Sequence, residues 1–173
     1  MPRLRLVTFP NAGSSETVYT GMDKTAFGGE SGRRDNYLMK WAKANSVEVY
    51  AVQPPGRDAR MKEPALESCA EIASGAMEQL KSVLFDDKVP WALFAHSMGT
   101  WCALEFAKLA PTPPTVMVAS AFPSPSLRER PWTKLEDWGG DQEAFKNECR
   151  AWNINEIVFS EAMWKIYEPL LRA

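Results

Sequence analysis

Residues 91–108 read WALFAHSMGTWCALEFAK, and the change of character partway along this stretch decides the architecture. Residues 91–96 form an apolar run of strand length. From about residue 98 to 109 apolar residues recur at helical spacing, and the pattern stops before Pro111. Between the two stands Ala95-His96-Ser97-Met98-Gly99. Small residues two before and two after a serine permit the sharp strand-to-helix turn that lifts a nucleophilic hydroxyl clear of the backbone. A serine also caps many ordinary helices, but a buried strand before it and small residues on both sides make the elbow the more specific reading. Ser97 is therefore the candidate nucleophile, and Ala95, His96 and Gly99 shape its turn. At a helix N-terminus, developing negative charge is favoured by free backbone amides.

Working outward, residues 3–9, 47–53 and 115–121 also read as strands, rich in β-branched and aromatic residues. Three of the four runs are nearly continuous in apolar character, as strands buried on both faces of a parallel sheet are. Helical patterns lie between them, at 36–44 and 66–84. In the second, Leu66, Cys69, Ala73, Ala76, Leu80 and Leu84 share one face. Gly75 inside it costs about 1 kcal/mol relative to alanine. This alternation predicts an α/β domain with a mostly parallel sheet of about four strands and right-handed crossovers. After residue 121 comes a proline- and serine-rich stretch, AFPSPSLRERPW (121–132), and then only helical patterns, at 142–152 and 160–171. The expected division is a core at 1–125 and a helical, lid-like segment of the same domain at 126–173.

Composition narrows the function classes. A chain of 173 residues, 45% apolar and 24% charged, supports one soluble domain with a real core. A net charge of −2 shows no bias toward nucleic acid or an anionic membrane. Three cysteines without ligand spacing and a single histidine predict no metal site. No apolar run reaches the roughly 18–20 residues of a membrane span. The N-terminal MPRLRLVTFP reads as a strand rather than a signal peptide, so a reducing, cytoplasmic setting is expected. The glycine-rich stretch 21–35, with Arg33 and Arg34, reads as a surface loop.

A serine nucleophile needs two donors aimed at the tetrahedral oxygen. One is expected from the amide of Met98, directly after Ser97. The other is expected from a loop after an early strand, and the small-residue turn FPNAGSS (9–15) offers Ala12.

Three motifs then agree. RLVTFPNAGSS (5–15), QPPGRDARMKEP (53–64) and WALFAHSMGTWCALEFAK (91–108) resemble the type II thioesterases of polyketide and nonribosomal peptide synthesis, a branch of the α/β-hydrolases. The resemblance spans essentially the whole chain, and its C-terminal helical part resembles the family's lid. It implies an α/β-hydrolase-type sheet and acylation of Ser97 by a thioester on a carrier protein's phosphopantetheine arm. An acyl or peptidyl carrier protein is then the partner, and no cofactor is needed because the substrate carries the phosphopantetheine. Two departures are small: Ala95 replaces the family's usual glycine, and Ser14 a frequent second glycine. Arg57 and Arg60 are candidate carrier contacts, since guanidinium suits anions; the competing reading is that they pair with nearby acids inside a shaped loop. Phe159 and Met163, on an apolar helical face with Ile166 and Leu170, are candidate linings of an acyl channel, or else pack the lid. Cys102 reads as a small core residue, and four of seven tryptophans, Trp132, Trp138, Trp152 and Trp164, fall after residue 130.

The large departure is the base. In the α/β-hydrolase order an acid and then a histidine follow the serine, yet the one histidine, His96, precedes it. Adjacent side chains on a tight turn diverge, which disfavours His96 as the base. Asp137 and Asp141 read as helix-start residues rather than catalytic acids. The resemblance therefore implies an N-terminal portion lacking the Asp/His end, nearly inactive as it stands and able to self-associate through an exposed sheet edge. Two other readings remain: another esterase or acyltransferase of the same class, and a non-catalytic module that binds acyl carriers.

Overall fold

The computed structural model describes residues 1–22, 36–124, 126 and 140–172. Residues 23–35 of the surface loop expected at 21–35, with Trp132, Asp137 and Trp138, lie outside the described residues. The chain divides into two compact units, Met1–Phe122 and Pro123–Ala173.

In the first unit β1 (Leu4–Phe9), α1 (Thr17–Thr20), α2 (Tyr37–Ala44), β2 (Val47–Ala51), α3 (Cys69–Phe85), β3 (Trp91–His96), α4 (Gly99–Leu109) and β4 (Met117–Ser120) follow in order. The four strands form one sheet in the order β2-β1-β3-β4, with every pairing parallel. Such pairing requires a crossover between strands, which is why helices alternate with them. β1 and β3 take the centre, and their residues are the most apolar: Val7, Phe9, Leu93 and Ala95 are fully buried. In register, Val7 faces Leu93 and Phe9 faces Ala95 across the pair. These side chains share a core with Ile72, Ala73 and Ala76 of α3 and Cys102, Ala103 and Phe106 of α4. Phe9 and Phe106 meet edge-on at 5.5 Å, a geometry worth more than area burial alone.

Element ends differ from the sequence expectation for local reasons. β2 stops at Ala51, two residues early, ahead of the Pro54-Pro55 pair that cannot donate to a ladder. α3 starts at Cys69, which leaves Leu66 outside the helix. Ser68 caps it: its Oγ accepts from the Glu71 amide at 3.2 Å and donates to the Glu71 carboxylate at 3.1 Å. This reciprocal pair supplies the start signal that periodicity could not resolve.

Arg5 ties the ends of these elements together. Its guanidinium donates to both Asp87 oxygens, at 2.7 and 2.8 Å, and also to Glu48 and the carbonyl of Val83. Hydrogen bonding to Arg5 holds the Asp87 carboxyl below the usual carboxylate range. A carboxylate with a depressed folded pKa contributes stability above its unfolded value of about 3.9, and that contribution is lost as pH falls through the folded value. Asp87→Asn is therefore expected to flatten the acid limb. Measured between about pH 5 and pH 2, the thermal midpoint should fall less in the variant than in the wild type; parallel limbs would refute this.

The second unit is helical. α5 (Gln142–Ala151) is capped by Asp141, which accepts from the Glu143 and Ala144 amides at 3.1 and 3.0 Å. A 3-10 turn at Glu156–Phe159 leads to α6 (Glu161–Arg172). Phe145, Cys149, Val158 and Trp164 form its core. The expected α6 face is corrected here. Phe159 ends the 3-10 turn before the helix begins, and Ile166 is 50% exposed. Leu170 of that face is buried as expected and Met163 is half-buried, while Trp164, Tyr167 and Leu171 carry the rest of the packing.

Candidate active site

The elbow takes its shape from two residues with opposite requirements. Ser97 has φ 54°, in the left-handed region that a non-glycine residue enters only at a cost. Its amide donates to the carbonyl of Ser120 at 2.8 Å, which pins the turn to the end of β4. Gly99, by contrast, has helical backbone and is needed for room. A Cβ there would lie 2.3 Å from the carbonyl oxygen of Phe9 and 2.6 Å from that of Pro10. The start of α4 therefore rests directly on the backbone that leaves β1.

That contact brings the loop after β1 up to the elbow. Within it, Ser14 N donates to Asn11 O at 3.1 Å, and Gly13 has φ 73° while Ala12 keeps a negative φ. This is a type II turn, whose third residue must enter the left-handed region. Among the described residues the amides of Ala12, Gly13 and Met98 donate to no protein acceptor. Free amides thus stand on both sides of the Gly99 contact, as an oxyanion hole requires. Tyr19 braces the same corner: its hydroxyl donates to Phe9 O at 2.8 Å and its ring meets Phe94 edge-on at 5.5 Å. Burial pushes its pKa up to about 12, so it remains a donor.

His96 turns away from Ser97. Its ring is exposed and Nδ1 is 3.1 Å from Ser120 Oγ. Ser97 Oγ has no hydrogen-bond partner among the described residues. A base must approach to about 2.6–3.2 Å, and no described residue does so.

The two arginines of the 53–64 motif have different environments. Arg60 is partly exposed and pairs with Glu63, its Nε 2.8 Å from Oε1. Arg57 is only 5% exposed and its Nη1 donates inward, to Asn11 O at 3.3 Å and Ser14 O at 3.1 Å. Arg57 therefore neither presents itself to a carrier nor pairs with an acid, because burial has committed it to backbone carbonyls. Phe159 stacks on Trp164 at 5.7 Å, has the Arg150 guanidinium 4.5 Å from its own ring centroid, and packs against the helical unit's core; Met163 is half-buried. Cys102 is a core residue, and the partly buried Cys69 has its Sγ 4.0 Å from Met98 O. Among the described residues no group of acids, histidines and cysteines could hold a metal, and no helix is long and apolar enough to cross a membrane. A cleft of about 330 Å³ beside β2, lined by Val52, Pro54, Leu66, Ile72 and Leu80 among others, contains none of the elbow residues.

The elbow and its loop can be set beside known proteins. The family model described as thioesterase domain matches residues 35–173. The chain belongs to the thioesterase family. A relative in Streptomyces griseus, the probable cadicidin biosynthesis thioesterase, is 31% identical over 139 residues, covering 78% of this chain and 33% of its own length. The thioesterase of the prodiginine pathway in Streptomyces coelicolor is 26% identical with a TM-score of 0.56, covering 99% of this chain and 57% of that one. The type II thioesterase of the borrelidin biosynthetic cluster, 24% identical with a TM-score of 0.59, shares the fold over 99% of this chain and 64% of that one. The thioesterase-family chain thus spans a third of the matched curated relative and less than two thirds of these solved structures. Its four-stranded parallel sheet with flanking helices is of the α/β-hydrolase type that these neighbours share.

Proposed function

We propose that this chain serves thioester cleavage, with Ser97 attacking an acyl group carried on the phosphopantetheine arm of an acyl or peptidyl carrier protein. The observation that carries the reading is the left-handed Ser97 elbow, seated through Gly99 on the loop whose Ala12 and Gly13 amides are free, in a member of the thioesterase family. Ser97 Oγ gives its proton to solvent or an added base and bonds to the acyl carbon, the C–S bond breaks, and the pantetheine leaves as the thiolate. Water then cleaves the acyl-serine to the free acid and restores the hydroxyl. The amide of Met98, with those of Ala12 and Gly13, would receive the oxyanion in both steps. The names of the relatives, which refer to thioesterases of cadicidin and prodiginine biosynthesis, support carrier-bound substrates.

The test is covalent. An acyl-pantetheine thioester incubated with the chain and imidazole as an external base should add the acyl mass to the Ser97 peptide. It should do so faster than a matched oxygen ester. Acylation elsewhere, or none, sinks the proposal. A non-catalytic carrier-binding role is the second reading, favoured by the one histidine being turned to Ser120; it predicts carrier binding with Ser97 unmodified. β4 is an edge strand of the sheet among the described residues, with Val118 47% exposed, and this supports the self-association expected from the sequence.

A further inference from the structure

We infer that Arg57 is a positioning residue: a buried cation on the loop after β2 that holds the Asn11–Ser14 turn in the conformation which leaves its amides free to face Ser97. The inference rests on the reading of Ser97 as the nucleophile and goes beyond it by assigning the device that sets the oxyanion loop.

The turn's two outer carbonyls, Asn11 O and Ser14 O, both accept from one nitrogen, Nη1 of Arg57, at 3.3 and 3.1 Å. With both carbonyls drawn toward the guanidinium, the peptide units between them are held in one arrangement. Arg57 does not act alone. Gln53 Oε1 accepts from the Glu16 amide at 3.0 Å, while Gln53 Nε2 donates to Arg57 O at 2.6 Å. Ser15 Oγ donates to Asp58 Oδ2 at 3.2 Å. Three residues of the loop after β2 therefore hold Asn11, Ser14, Ser15 and Glu16 and leave Ala12 and Gly13 between them untouched.

That grip is built at a cost. Asp58 has φ 44°, and Gly56 has φ 75° with Ala65 Cα only 2.9 Å from where a Cβ would stand. Arg57 Nε is buried without a partner among the described residues. No carboxylate lies within ion-pair distance of the guanidinium among them, and burial pushes its pKa down from the usual range. It stays charged at neutral pH all the same. A buried cation with no counter-ion is an expensive way to pack a loop, since an apolar side chain of similar volume is often neutral or stabilising at such a site. The charge is useful if it orients carbonyl dipoles.

This reasoning separates positioning from packing. Arg57→Met keeps the volume and removes the donors. Its thermal midpoint should stay level or rise, while amide hydrogen exchange in the 10–16 peptide should quicken by about tenfold or more. With imidazole present, the rate of Ser97 acylation by a saturating acyl-pantetheine thioester should fall by about 100-fold, the loss expected when an oxyanion donor is misplaced, with the half-saturating concentration within about twofold. Arg57→Lys, which retains a cation, should fall between the two in both readouts. Wild-type exchange in the 10–16 peptide of Arg57→Met would overturn the assignment, as would exchange quickened evenly over the whole chain or acylation equal to wild type. If Arg57→Met does not fold, Arg57→Lys decides by the same criteria. Should wild-type Ser97 not react, the thioesterase reading fails by that result, and the exchange arm still decides whether Arg57 holds the turn.

Discussion

Gly99→Ala is expected to lower the thermal midpoint by about 10 °C and to abolish Ser97 acylation at measurable rates. The added Cβ would stand 2.3 Å from Phe9 O and 2.6 Å from Pro10 O, both backbone atoms with no freedom to swing aside. Phe9 is fully buried in the central strand, so relief must come from α4 moving away from β1. Overpacking of this kind costs about 3 kcal/mol at the upper end of its usual range. The chemical loss follows from the same displacement, because the Met98 amide sits at the start of α4 and the Ala12 and Gly13 amides on the loop just beyond Pro10. Differential scanning calorimetry and mass spectrometry of the Ser97 peptide check the two halves. An unchanged midpoint together with wild-type acylation would show that the close approach at Gly99 does not hold the site together.

Exogenous imidazole should raise the rate of Ser97 acylation by about 100-fold, the lower end of what a general base contributes. The 173 residues contain one histidine, and its Nδ1 is engaged with Ser120 Oγ on the far side of the turn. The Ser97 hydroxyl must then give its proton to solvent, hydroxide or an added base. Without imidazole the rate should climb steadily with pH as hydroxide takes the serine proton. Turnover by wild type and Ser97→Ala should then be similar, because a nucleophile without its base performs little better than none. With imidazole the two should separate. Loss of the unsupplemented rate on His96→Gln would implicate His96 and contradict the geometry.

How much of this was legible beforehand depends on the range of the interactions involved. Residues 91–96 are both the expected and the observed β3, since a run of apolar residues between turn signals is a local property. The ends of α3 and β2 needed a capping pair and a proline pair, which are local as well but easily outweighed by periodicity. α6 was legible in part: Leu170 of the spaced set is buried, but Phe159 precedes the helix and Ile166 is exposed, because the partners of the buried face come from α5 and the turn before it. Arg57 was the least legible. PPGRDAR is a loop with two arginines in any reading; only the folded chain shows that one faces Glu63 and the other faces Asn11 and Ser14, 43 or more residues away.

By itself, then, the order of residues determined the alternation of strand and helix, the serine elbow and its small flanks, and the single histidine beside it. These follow from periodicity, side-chain size and composition, which act within a few residues. The tertiary structure decided the strand order β2-β1-β3-β4, the seating of Gly99 on Phe9 and Pro10, and the burial of Arg57 against the Asn11–Ser14 turn. Those depend on which distant backbone atoms meet, and that is set only when the central strands pair and the core closes over them.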